Sequence, residues 1–188
     1  MTIGGTGVML LASLASLVVF ALVARALSPR LGRVTAIALA GWAWTVVVIG
    51  ILTLLPAQWD TGVVPADTRM ETCSMDYGGP APDGFWILSG SQRMLNAAVF
   101  LPAGALWVLG VARWRLRWLL APMGLAALGL YSVAIEMLQL ALARIDRACD
   151  VTDVVDNFTG ALLGGLVGLV FALVLQPWRA PGTGRPRR

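Results

Sequence analysis

The chain has 188 residues, 58% hydrophobic and 13% charged, with a net charge of +4 and no histidine. A soluble domain carries about 45–50% apolar and about 25% charged residues, so an ordinary water-soluble fold is excluded. The missing histidine removes the commonest proton shuttle and metal ligand, and a hydrocarbon core about 30 Å thick limits this length to roughly four to six crossings.

Five apolar runs follow in order. The first, VMLLASLASLVVFALVA (8–24), is preceded by the uncharged MTIGGTG and followed by Arg25, Arg30 and Arg33. A secretory signal has the opposite charge order, so this run is expected to be a retained membrane helix. The second, TAIALAGWAWTVVVIGILTLLP (35–56), leads into a long segment, 57–92. That segment holds Asp60, Asp67, Glu71, Asp76 and Asp83 against Arg69, with Trp59 and Trp86 near its ends. The tryptophans are expected at headgroup depth.

The third run, MLNAAVFLPAGALWVLGVA (94–112), is interrupted by Asn96 and by Pro102, where a kink is expected. The fourth, WLLAPMGLAALGLYSVAIEMLQLALA (118–143), contains Glu136 and Gln139. The fifth, VTDVVDNFTGALLGGLVGLVFALVLQ (151–176), opens with a dense polar stretch, and a basic tail, 177–188, follows it. The expected fold is an all-α membrane bundle of five helices forming one multi-pass domain over 1–188.

Orientation follows from arginines in short connections. RALSPRLGR (25–33), RWRLR (113–117) and the tail with Arg179, Arg185, Arg187 and Arg188 alternate with the acidic segment 57–92. This places the N-terminus outside, the C-terminus in the cytoplasm, and 57–92 on the extracytoplasmic face. The basic clusters are short and flank membrane spans, which suits anionic lipid headgroups and argues against nucleic acid. Cys73 and Cys149 both fall on the expected outer, oxidising face, where a disulfide persists. Such a bridge would tie the long segment over the mouth of the fifth helix; two separate free thiols are the alternative.

The polar residues of the last three runs are expected to converge. Asp150, Asp153, Asn157 and Gly160 share one helical face, continued by Gly164 and Gly168, which admit a neighbouring helix closely. Asp156 is assigned to solvent or headgroups. Glu136 and Gln139 share a face of the fourth helix, with Ser132 one turn deeper. At 1.5 Å per residue Glu136 lies about 10 Å below the outer surface and Asn157 about 9 Å. Asn96 enters within a turn of the same surface. Asn96, Glu136, Gln139, Arg147, Asp150, Asp153 and Asn157 therefore form a candidate outward-facing pocket. Asp150 or Thr152 also suits a helix cap, and the amides suit interhelical hydrogen bonding. A carboxylate within an apolar span is costly by roughly 2.5–3.5 kcal/mol or more at the centre, so Glu136 marks a functional position.

NAAVFLPAG (96–104), EMLQ (136–139) and RACDVTDVVDNFTG (147–160) resemble, in order and spacing, the VanZ-like family of membrane proteins. The matching positions are Asn96, Phe100, Pro102, Gly104, Glu136, Gln139, Arg147, Asp150, Asp153, Asn157, Gly160 and Gly164; the resemblance marks 93–176 as a VanZ-like core. It implies a role in the cell envelope of a bacterium, in the cytoplasmic membrane, since the family is named for a protein associated with resistance to the glycopeptide teicoplanin.

Two functions fit these residues. In the first, the pocket binds an envelope ligand: a lipid headgroup, a cell-wall precursor or a glycopeptide. Arg147 would contact an anionic group. In the second, the protein is a membrane-surface enzyme acting on a lipid-linked substrate, with Glu136, Asp150 and Asp153 as acid/base groups or ligands of a divalent cation. No known metal motif has this spacing, so no metal or cofactor is assigned. An ion pathway is disfavoured because the inner halves of the last three helices lack polar residues.

Overall fold

The computed structural model describes residues 5–55, 72–77, 91–142 and 149–179. They form α1 (Thr6–Leu31), α2 (Arg33–Leu54), α3 (Ser91–Val111), α4 (Arg117–Leu142) and α5 (Val151–Leu175), with a 3-10 turn at Pro177–Arg179. All five helices are long and apolar enough to cross a membrane. Among the described residues the only β-type pairing is an isolated bridge between Ser74 and Asp150.

Side-chain contacts fix the helix directions. Trp42 of α2 meets Trp107 of α3 with ring centroids 4.8 Å apart, while Gly110 lies against Leu39, so α2 and α3 are antiparallel. The Tyr131 hydroxyl of α4 donates to the Val46 carbonyl at 2.9 Å, and Gln139 reaches the Thr53 carbonyl further along the same helix. These contacts make α2 and α4 parallel. α1 packs on α2, where the Trp44 indole donates to the Ser13 carbonyl at 3.1 Å. Its other sides present Leu10, Leu14, Val18 and Leu22 outward, as a lipid-facing helix requires.

The connection between α1 and α2 is tighter than the expected loop at 25–33. α1 continues through Pro29, and Gly32 alone joins the helices at φ 76. That left-handed conformation is open to glycine without a Cβ penalty. Arg25 and Arg30 are carried on helix rather than on a loop; an arginine can reach an interface from either.

α3 and α5 form the tightest seam. A Cβ added at Gly160, Gly164 or Gly168 would overlap the backbone carbonyl of Ala97, Leu101 or Ala105, respectively. Both series advance by four residues, one helical turn, in the same direction, so the helices run parallel with their backbones in contact. Gly104 answers from α3 by lying against the Ala161 backbone. α3 continues as a helix through Pro102. The apolar core beside this seam is Ile49, Phe100, Ala103, Leu128, Ile135 and Ala161. Small residues thus bring α3 and α5 together, and their polar first turns face each other at one end of the bundle.

Candidate functional site

At that end, one turn before the first glycine contact, Arg93 of α3 and Asp156 of α5 form a buried ion pair. Nε donates to Oδ2 at 2.7 Å and Nη2 to Oδ1 at 2.9 Å. Asp156 is 0% exposed and Arg93 8%. This corrects the assignment of Asp156 to solvent. Asp156 precedes Gly160 by four residues, so the face that brings Gly160 against α3 also carries Asp156 inward. Paired, charge-assisted hydrogen bonds of this kind are short and directional.

The segment 72–77 covers the pair. Arg93 Nη2 also donates to the Tyr77 hydroxyl at 2.6 Å, with the guanidinium carbon 5.0 Å from the ring centroid. The segment that carries Tyr77 is anchored at the start of α5 through Cys73 and Ser74. Cys73 and Cys149 are disulfide-bonded. Beside the bond, the Ser74 N–H donates to the Cys149 carbonyl at 2.9 Å and the Val151 N–H to the Ser74 carbonyl at 3.0 Å. A covalent bond and two backbone hydrogen bonds fasten residues 72–77 to the start of α5.

The expected site residues divide among four contacts rather than one pocket. Asn96 and Asp153 meet across α3 and α5, with Nδ2 donating to Oδ1 at 2.6 Å, and both are partly exposed. Glu136, 4% exposed, accepts from the Asp150 backbone N–H at 3.2 Å. The Asp150 side chain caps α5 by accepting from the Thr152 N–H at 2.8 Å. Asn157 is buried one turn deeper than the rim and donates to the Ser132 hydroxyl at 2.9 Å. Rise per residue places it level with Glu136, but its partner Ser132 lies one turn of α4 deeper. Gln139 turns toward α2, where its amide donates to the Thr53 carbonyl at 2.9 Å. Arg147 lies outside the described residues.

Arg93 escaped the sequence reading because it stands one residue before the apolar run that begins at Met94. A usable signal was present: Arg93 precedes Ala97 by four residues, as Asp156 precedes Gly160. Extending the glycine seam by one turn on each helix pairs the two charges.

The site is polar and acidic. Among the described residues, Asp76, Glu136, Asp150, Asp153 and Asp156 lie at this end with one arginine, Arg93. Asp156 is neutralised by Arg93, and Asn96 and Asp153 form a partly exposed rim above them. Chemically, the rim offers carboxylate and amide acceptors to hydroxyl, amide or ammonium groups. Among the described residues no group of three His, Cys, Asp or Glu could hold a metal ion.

The model of the VanZ/LLP1 family matches residues 8–173. The match takes in α1 and α2 as well as the three helices that carry the site. No curated protein and no solved structure matches the chain.

Proposed function

This chain belongs to the VanZ/LLP1 family, and from that membership and the site geometry we propose that it is a cell-envelope membrane protein of a bacterium. Its α5 N-terminal end faces the extracytoplasmic medium and binds the polar part of an envelope ligand: a lipid headgroup, a cell-wall precursor or a glycopeptide. The observation that carries the reading is the partly exposed Asn96–Asp153 pair, seated above the buried Arg93–Asp156 pair.

The division of labour is physical. The buried pair and the disulfide-braced segment set the positions of α3 and α5 without offering themselves to solvent. The rim then presents acceptors that are already oriented, so little ordering remains to be done when a ligand binds. The acidic balance favours ligands rich in hydrogen-bond donors, such as sugar hydroxyls, peptide amides and amino groups. The disulfide is consistent with an outward site, because such bonds persist on the oxidising side of the membrane.

Binding of teicoplanin and of a lipid-linked cell-wall precursor to the purified protein in nanodiscs tests this reading. Asp153→Asn is expected to weaken binding of the recognised ligand about tenfold or more, the loss of one hydrogen bond to a charged acceptor. Equal binding by wild type and variant, or binding of neither probe by wild type, would count against it.

A further inference from the structure

The opposite end of the bundle carries a second polar feature, independent of the site above. All five carboxylates of the described residues lie at the α5 N-terminal end. The other end holds Arg25, Arg30, Arg33, Arg113, Arg115, Arg117 and Arg179 and, among the described residues, no acidic side chain. Two of these arginines come from distant parts of the chain to one cavity of about 380 Å³. Its walls include Gly32, Arg33, Thr35, Leu175, Gln176 and Arg179.

Local backbone geometry builds this cavity. Gly32, at φ 76, turns α1 directly into α2, and Arg113 donates to the Leu31 carbonyl to hold the elbow. At the other wall, Gln176 adopts φ 46 and ψ 56 and ends α5, and the following 3-10 turn carries Arg179 to the cavity. The cavity contains the first turn of α2, whose first intrahelical hydrogen bond is the Ala36 N–H to the Gly32 carbonyl at 3.0 Å. The N–H groups of Arg33, Val34 and Thr35 precede that bond, and no side chain caps the helix. Thr35 is 1% exposed and lines the cavity.

The Thr35 hydroxyl, an uncapped helix N-terminus and two arginines without an ion-pair partner among the described residues meet at one cavity. They are donors awaiting an anion with several acceptor oxygens. The cavity also borders an apolar surface, since Val174 is 72% exposed and Leu175 48%. A free inorganic anion would leave that surface unused.

We propose that this cavity binds the phosphodiester headgroup of an anionic phospholipid, with its acyl chains lying along the exposed Val174 and Leu175 face of α5. Arg33 and Arg179 neutralise the phosphate from two sides. The first N–H groups of α2 and the Thr35 hydroxyl orient its oxygens.

Native mass spectrometry of the full chain, released from micelles containing phosphatidylglycerol or phosphatidylcholine, tests the proposal. Wild type is expected to retain phosphatidylglycerol in preference to phosphatidylcholine, and inorganic phosphate is expected not to displace it. Arg33→Gln with Arg179→Gln is expected to weaken retention about thirtyfold. Arg25→Gln with Arg30→Gln, at exposed arginines outside the cavity, is expected to leave it unchanged. If the first double variant does not fold, Arg179→Gln alone carries the same expectation at about fivefold. Equal retention of the two lipids, unchanged retention by the cavity variant, an equal loss in the control, or displacement by inorganic phosphate would each overturn it.

Discussion

Arg93 and Asp156 meet at two points, Nε to Oδ2 at 2.7 Å and Nη2 to Oδ1 at 2.9 Å, one helical turn above the first glycine contact of α3 with α5. The pair closes the tightest seam in the bundle and supports the polar rim. Removing one partner leaves a buried charge without its counter-ion, which costs about 3–5 kcal/mol. Arg93→Ala and Asp156→Ala are each expected to lower thermal stability in detergent by that order. Arg93→Met with Asp156→Leu removes both charges and fills the space, and is expected to be more stable than either single variant. A double-mutant cycle on the thermal midpoints checks both statements.

The seam below the pair depends on the absence of side chains. A Cβ at Gly164 would overlap the Leu101 carbonyl, and backbone cannot step aside as a flexible side chain can. Gly164→Ala is expected to destabilise by about 1–3 kcal/mol. Gly7→Ala, where nothing stands within 4 Å, is expected to leave stability unchanged within about 0.5 kcal/mol. Thermal unfolding of the two variants in one detergent makes the comparison.

The bridge between Cys73 and Cys149 closes a loop with a sequence separation of 76 and holds Tyr77 over Arg93. Cys73→Ser with Cys149→Ser is expected to cost about 2–4 kcal/mol. It is also expected to increase hydrogen exchange in residues 72–77, because the two backbone bonds at Ser74 are too few to hold that segment alone. Hydrogen–deuterium exchange of the variant against wild type reads this directly.

The helices were legible as long apolar runs, and their boundaries fell within a few residues except where α1 continues to Leu31. Hydropathy marks the lipid-exposed stretch, whereas α1 extends beyond it through a proline and two arginines, which hydropathy scores as loop. The glycine stripe of α5 was legible because four-residue spacing is a property of the helix itself. The polar partners were harder to read. Asn157 joins Ser132, and Gln139 joins Thr53, because side-chain pairing depends on how far each helix slides along its neighbour. A single helix does not encode that offset. Asp156 is buried for a simpler reason: Gly160 lies on the next turn of the same face, so the face packed on α3 is wider than the stripe of Asp153 and Asn157.

The proposed function requires the polar, disulfide-braced end of the bundle to face the extracytoplasmic medium. Intact cells producing the protein can be treated with a membrane-impermeant phosphine and then a membrane-impermeant maleimide, with and without permeabilisation. Cys73 and Cys149 are expected to be labelled in intact cells, and only after reduction. Labelling that requires permeabilisation would place this end in the cytoplasm and overturn an outward-facing site.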